Sequence, residues 1–302
     1  MHSAIDIELP ISKSIANRLL ILQAIHRDEL MPVSVAMPDD VRLMHQALQA
    51  IEKNTSILDL DNAGTVMRFL TAYCAQKEGV DVVLTGCERM LKRPIGQLVD
   101  VLREMGADIE YLRETGYPPL RIHGKRIELG YVSLIHPQST QFVSALLLIG
   151  AHVTTDSESP YICMTKMVCE QYQKGKVDIE KDWSSAAFWY EKVAIDGGEL
   201  YLKGLREDSI QGDKKVADIF VHLGVETKYE QDGIRIRKQL PVATRLNVDF
   251  ATIPDLYPAV AIASERLGVI LDAVGTESLY LKESDRIRAV REHRTDNDHR
   301  MA

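Results

Sequence analysis

The chain has 302 residues, 45% hydrophobic and 26% charged, with a net charge of −8. That is the composition of a folded protein with enough length for two cores, not of a disordered chain, and its acidity argues against a general nucleic-acid binder. No stretch reaches the roughly 18 apolar residues of a membrane span, and Met1-His2-Ser3-Ala4-Ile5-Asp6 lacks the basic-then-apolar pattern of a secretory leader. The expectation is a cytoplasmic protein with neither nucleic acid nor membrane among its partners. Cys74, Cys87, Cys163 and Cys169 form no C-x-x-C pair and have no His at zinc-finger spacing. They read as reduced thiols, with no metal site.

Helical and strand patterns alternate along the chain. Residues 15–25 read as a buried helix and 81–85 as a strand. Residues 94–105 read as an amphipathic helix, with Pro94 suited to its first turn and Gly106 to its C-terminal cap. Strand patterns follow at 107–112 and 119–123, the second introduced by Tyr117-Pro118-Pro119. Residues 171–181 are the most polar stretch near the middle and are taken as the boundary between two halves.

There is a weak internal repeat. Residues 100–111 and 218–229 share one layout: a helix beginning at an Asp, a capping Gly (Gly106, Gly224), then a polar-alternating strand ending in Tyr. A common helix-to-strand junction explains this as well as two lobes built from one repeated unit.

Several helix starts carry hydroxyls and cations. Ser12-Lys13-Ser14 opens directly into an apolar helix, with Arg18 one turn further on the same face. Free backbone N–H groups at a helix start, with hydroxyls and a Lys, make an anion site, although a Ser cap with solvated charges fits this motif equally well. Asn62-Ala63-Gly64-Thr65 repeats the arrangement with Arg68, and Arg93 stands immediately before Pro94. Ser139-Thr140-Gln141 is another hydroxyl-rich start ahead of an apolar run. Cations at helix starts oppose the macrodipole, so Lys13, Arg18, Arg68 and Arg93 taken together argue for an anionic ligand.

These segments, in order, resemble the signature of the 3-phosphoshikimate 1-carboxyvinyltransferase (EPSP synthase) family of enolpyruvyl transferases. They are LPISKSIANR (9–18), NAGTVMR (62–68), ERMLKRPIGQLVDVLREMGA (88–107), STQF (139–142), DWSSAAFWY (182–190), IPD (253–255), KESDR (282–286) and DHRMA (298–302). Any one could be chance; eight in order are specific. The sister enzyme acting on UDP-N-acetylglucosamine carries a catalytic loop Cys and lacks SKS and KESDR.

The resemblance implies a two-lobed inside-out α/β barrel of repeated βαβαββ units, whose lobes close on substrate like a clamp. One lobe would be residues 12–180. The other, discontinuous and incomplete at its C-terminus, would be 1–11 with 181–302. It implies transfer of the enolpyruvyl group of phosphoenolpyruvate to the 5-hydroxyl of shikimate 3-phosphate, with phosphate released, in chorismate and aromatic amino acid biosynthesis. Lys13, Ser14, Arg18, Ser139, Thr140, Gln141, Tyr161, Asp255 and Lys282 match the shikimate 3-phosphate site, Tyr161 stacking on the ring. Lys13, Gly64, Arg93, Gln141, Arg286 and Arg300 match the phosphoenolpyruvate site. Asp255 is the expected base for the hydroxyl and Glu283 the acid for the carbon, with Lys13 a second proton-transfer candidate. His299 is a wall residue or relay. Taken alone, Asp255 reads equally as a turn residue after Pro254, and Glu283 as a helix partner of Arg286. No cofactor is implied; the partners are the two small-molecule substrates, and the protein is expected to be a monomer.

The sequence departs from the family pattern in places. Glu158, between Ser157 and Ser159, stands where a phosphate-binding Ser is usual, and Ser278 where many relatives have Asn. The family continues past DHRMA and carries a further phosphoenolpyruvate-binding Lys there. It also has a full helix–strand unit between KESDR and DHRMA, where this sequence has only residues 287–297. A longer chain than these residues and a genuinely shortened one both fit. So do a non-catalytic shikimate 3-phosphate-binding homologue and an enolpyruvyl transferase for another alcohol.

Overall fold

In chain order the elements are β1 (Ile5–Glu8), α1 (Lys13–His26), α2 (Asp39–Glu52), β2 (Ile57–Asp59), α3 (Gly64–Gln76), β3 (Asp81–Thr85), α4 (Gly96–Glu104), β4 (Asp108–Tyr111), β5 (Leu120–His123), β6 (Tyr131–Ser133), α5 (Thr140–Leu148), β7 (His152–Thr154) and α6 (Pro160–Gln173). Then follow α7 (Trp183–Asp196), β8 (Glu199–Lys203), α8 (Val216–Val221), β9 (Val225–Glu230), β10 (Gly233–Lys238), β11 (Arg245–Asp249), α9 (Tyr257–Arg266) and β12 (Ile270–Val274). Short 3-10 turns at Gly212–Lys215 and Pro254–Leu256 matter below. This computed structural model describes residues 5–239, 241–277, 279–282, 286–288 and 290.

The chain divides into two units, Lys13–Ile179 and Met1–Ser12 with Glu180–Ala302. In the first, a four-stranded sheet has the order β2-β3-β5-β4, with β2 parallel to β3 and the other pairs antiparallel. In the second, the order β1-β8-β10-β9 repeats that pattern: β1 parallel to β8, the rest antiparallel. The first sheet is wound as β2-α3-β3-α4-β4-β5. The second is wound as β1-α7-β8-α8-β9-β10, with the whole first unit inserted after β1. Each is therefore a βαβαββ unit. Two-stranded parallel pairs, β6–β7 around α5 and β11–β12 around α9, begin further units. The sheets are open; none closes into a barrel among the described residues.

The weak sequence repeat falls on equivalent junctions, α4–β4 and α8–β9. Both glycines take positive φ, +96° at Gly106 and +82° at Gly224, where a Cβ is disfavoured. The common-junction explanation is therefore set aside by the topology on either side of the repeat.

Burial explains the layering. α3 is buried along nearly its whole length, from Gly64 to Ala75, and α1 from Ile15 to Leu22. A helix apolar on all sides must lie inside. The strands alternate instead: in β3, Val82 and Leu84 are buried while Asp81 is exposed. Such strands cover the helices with one face and meet water with the other. Trp183, Tyr190, Phe220 and Phe250 form part of the second unit's core with the apolar faces of β8 and β10. Each large apolar side chain so buried contributes roughly 1.5–3 kcal/mol.

One boundary differs from the sequence expectation. α4 begins at Gly96, not at Pro94. Ile95 has non-helical backbone angles (φ −139°, ψ 0°) and stands as the N-cap, its N–H donating to the carbonyl of Gly116 at 2.9 Å. Pro94 instead continues the loop that carries Arg93. The connections at residues 10–12 and 180–182 are tied to each other: Ser12 N–H donates to Glu180 O (2.8 Å) and Asp182 N–H to Pro10 O (3.0 Å), around an Ile11–Lys181 bridge.

Candidate active site

In the unit 13–179, four helices start at the same end. Arg18, on the second turn of α1, donates through Nη1 to Ser14 O (2.7 Å) and through Nη2 to Tyr161 O (3.1 Å) at the start of α6. The same Nη2 reaches Ser144 Oγ on α5 (3.3 Å), and Nε reaches Thr165 Oγ1 on α6 (2.8 Å). Gln141 Nε2, in the first turn of α5, donates to Thr65 Oγ1 in the first turn of α3 (2.8 Å). These bonds fix the first turns of α1, α3, α5 and α6 side by side. Each leaves unpaired N–H groups and a partial positive charge, so the four dipole ends reinforce one another. Ser139 caps α5 by accepting from Gln141 N–H (3.3 Å), and Ser159 caps α6 by accepting from Tyr161 N–H (3.3 Å).

This end gathers most of the residues expected from sequence. Lys13 and Ser14 form the first turn of α1, half-buried; Ser139, Thr140, Gln141 and Tyr161 are half-buried at the starts of α5 and α6. Gly64 opens α3. Arg93 is 5% exposed, and its Nη1 donates to Asn62 O (3.0 Å). Its guanidinium lies against Gly64 so closely that a Cβ there would overlap it. Arg68 fastens the two loops together, donating to Gly64 O (3.1 Å) and Pro94 O (3.2 Å). Glu158 is exposed, beside the capping Ser159.

Arg18 is buried among the helix starts. Its side chain is enclosed, and burial pulls the guanidinium down to about 10, still charged near neutrality. It makes no ion pair with an acid among the described residues. Four of its hydrogen bonds go to neutral oxygens, which is why it acts as the clasp of the helix starts.

In the other unit, Asp255 sits in the 3-10 turn Pro254–Leu256. Its Oδ1 is 2.7 Å from Arg286 Nη1 and 3.9 Å from Lys282 Nζ, all three side chains being less than a quarter exposed. Arg286 also donates to Pro254 O (3.1 Å), which ties its helical turn to the 3-10 turn. Asp255, Lys282 and Arg286 thus form one cluster. Glu283, Arg300, His299 and Ser278 lie outside the described residues.

Sequence reasoning missed two buried acids of the same unit. Asp213, 3% exposed, accepts from Ser184 Oγ at the start of α7. Burial, with the nearby Asp255 charge, pushes its carboxyl up to about 7. Glu180, also buried, accepts from Ser209 Oγ, from Ile210 N–H (3.1 Å) and from Gln211 Nε2 (2.8 Å). The only sequence signal was the polar run Ser209-Ile210-Gln211-Gly212-Asp213, which reads as a turn. Thr165 and Ser144, in the interiors of α6 and α5, gave none.

The fold defines a class: two-unit α/β proteins made of repeated βαβαββ elements. Its shape is similar to a solved EPSP synthase from Acinetobacter baumannii, with a TM-score of 0.68 over 96% of this chain and 78% of that one, at 22% identity. The family model described as EPSP synthase (3-phosphoshikimate 1-carboxyvinyltransferase) matches residues 49–171 and 149–293. A 3-phosphoshikimate 1-carboxyvinyltransferase of Bacteroides fragilis is 38% identical over 94% of this chain and 76% of its own length. One from Photobacterium damsela subsp. piscicida is 33% identical, over 94% and 79%. The chain belongs to the EPSP synthase family.

Proposed function

We propose that this protein transfers the carboxyvinyl group of phosphoenolpyruvate to the 5-hydroxyl of shikimate 3-phosphate and releases phosphate, as a transferase of aromatic amino acid biosynthesis. The observation that carries the reading is the meeting of four helix starts with Lys13 and Arg93, a cationic, hydroxyl-lined place for phosphate and carboxylate groups. Lys13, Ser14, Arg18, Ser139, Thr140 and Gln141 hold shikimate 3-phosphate, with Tyr161 against its ring and Arg18 also fastening the helix starts that carry the hydroxyls. Arg93, backed by Gly64, binds phosphoenolpyruvate together with Lys13, Gln141, Arg286 and Arg300; Lys282 contributes to shikimate 3-phosphate.

The chemistry follows from charge. Asp255 takes the proton of the 5-hydroxyl as its oxygen bonds to C2 of phosphoenolpyruvate. C3 gains a proton from Glu283 or Lys13 and becomes a methyl. The tetrahedral adduct then breaks its C2–O bond to phosphate while C3 returns a proton, restoring the double bond. Cations around the phosphate stabilise the charge that grows on it as it leaves. The protein works as a monomer in the cytoplasm, with these two small molecules as its partners. Among the described residues, no helix is long and apolar enough to cross a membrane.

The test is phosphate release by the purified chain given both substrates. Turnover that needs both is expected. Binding of shikimate 3-phosphate without turnover would instead mark a non-catalytic homologue, and turnover only with a different alcohol would move the substrate.

A further inference from the structure

The guanidinium of Arg18 is held along one edge by a pair of hydroxyls. Its Nε donates to Thr165 Oγ1 on α6 (2.8 Å) and its Nη2 to Ser144 Oγ on α5 (3.3 Å). Those two oxygens stand 2.8 Å apart, joined by a hydrogen bond of their own. Thr165 Oγ1 also lies 2.8 Å from the carbonyl of Tyr161, one turn back on α6, which accepts from Nη2 at 3.1 Å. Thr165 and Ser144 are fully buried, and Arg18 is 2% exposed. The Nε–Nη2 edge is the one that grips a carboxylate through two parallel bonds in a bidentate ion pair. Here two neutral oxygens occupy it. They fix the plane of the guanidinium and leave its charge uncancelled. With Nη1 bonded to Ser14 O at 2.7 Å, four of the five N–H groups of an arginine are used; one on Nη1 has no partner among the described residues. Buried helix hydroxyls can also satisfy themselves on carbonyls a turn back. That alone would not bring Thr165 and Ser144, on different helices, onto adjacent nitrogens of one fork.

We propose that Thr165, with Ser144 beside it, is a positioning residue for shikimate 3-phosphate binding: the hydroxyl pair stands in for a carboxylate on Arg18, orienting its fork without neutralising it, so that the charge stays available to the anionic groups of the substrate. This rests on the reading of Arg18 as a ligand of shikimate 3-phosphate. An acid in either place would hold the fork and cancel the field that attracts an anion, because charges interact strongly where water is excluded. An apolar side chain would leave a buried N–H unbonded and let the fork turn away. A hydroxyl does neither. The Phe69 ring of α3, centred 5.4 Å from the guanidinium carbon, supports the cation with the same result, since a ring face attracts a cation and carries no net charge to cancel it.

Calorimetry with shikimate 3-phosphate and steady-state kinetics, both on the full chain, test this. Thr165→Val keeps the shape of the side chain and removes its hydroxyl. It should weaken shikimate 3-phosphate binding about tenfold, with kcat and the KM for phosphoenolpyruvate within about twofold of wild type. Thr165→Ser returns the hydroxyl and should return the affinity. Thr165→Asp puts a carboxylate where its surrogate was: it should hold Arg18 in place and yet weaken binding about a hundredfold. In an Arg18→Lys background Thr165→Val should add no more than about twofold, since no fork is left to orient. Should Thr165→Val fail to fold, Ser144→Ala serves, with a loss of about threefold in the same affinity. The proposal is overturned by unchanged binding in whichever of these two variants is used, by equal weakening of both substrates, by a full effect in the Arg18→Lys background, or by wild-type affinity in Thr165→Asp. A wild-type chain that takes up no shikimate 3-phosphate removes the substrate reading itself; wild-type binding with an unaltered Thr165→Val removes only the role of Thr165.

Discussion

Single side chains here act mainly by holding other groups in place. Asp255 is held by Arg286 and Lys282, so its replacement removes an acceptor and leaves the surrounding loops supported. Asp255→Asn should lower kcat by about a thousandfold, within the range of lost general-base catalysis, while shikimate 3-phosphate still binds in calorimetry. Loss of binding instead would assign Asp255 to recognition. Gly64 offers a complementary case. A Cβ at this position overlaps the Arg93 guanidinium, a mobile side-chain end that can move away. Gly64→Ala should therefore fold and bind shikimate 3-phosphate normally, but raise KM for phosphoenolpyruvate about tenfold through a displaced Arg93, roughly 1.4 kcal/mol of uniform binding. Steady-state kinetics with each substrate varied will show it, and equal effects on both substrates would contradict the assignment of Arg93.

At the level of elements, each βαβαββ unit depends on a left-handed residue between its second helix and the strand that follows. Gly106 ends α4 at φ +96°, with open space where a Cβ would lie. Gly106→Ala thus carries only the backbone penalty, about 1 kcal/mol, in urea unfolding. Gly124 differs. A Cβ there would collide with the carbonyls of Lys77 and Cys74 at the end of α3, which cannot yield without disturbing the helix. Gly124→Ala should lose distinctly more stability than Gly106→Ala in the same titration; equal losses would mean that α3 gives way freely. Ile95 shows how tertiary bonding shortens an element. Its N–H is paired with Gly116 and its backbone is non-helical, and α4 starts two residues later than propensity alone would place it.

For the molecule as a whole, buried acids make stability depend on pH in a direction opposite to that of most surface carboxylates. Glu191 on α7 is half-buried, its Oε2 has no hydrogen-bond partner among the described residues, and burial pushes its carboxyl up to about 7. Between its ordinary range and pH 7, the native state therefore holds a proton that the unfolded chain has released. Stability from this group is full at low pH and falls as pH rises toward and through 7. Glu191→Gln should accordingly raise Tm at pH 8 and leave it nearly unchanged at pH 4.5. A gain of equal size at both values would point to packing rather than to ionisation. Asp213 contributes with the same sign.

Much of this was legible in one dimension. Ser12-Lys13-Ser14, Asn62 to Arg68 and Ser139-Thr140-Gln141 announce helix starts with hydroxyls and cations, because capping chemistry is local and needs no partner from elsewhere in the chain. The repeat at residues 100–111 and 218–229 announced the repeated unit for the same reason: a helix, a left-handed glycine and an alternating strand are each written in adjacent residues. The sequence by itself thus determined the elements, the family pattern and the hydroxyls and cations of the helix starts. Only the tertiary structure decided that Arg18 is enclosed and clasps three helices, that Arg68 binds the loops beside Arg93, and that Asp213 is buried against Ser184. Those contacts join residues up to 147 positions apart. They exist only because the packed core brings their helices together, and burial, which sets the charge of Asp213 and Arg18, is a property of that packing and of no single stretch of the chain.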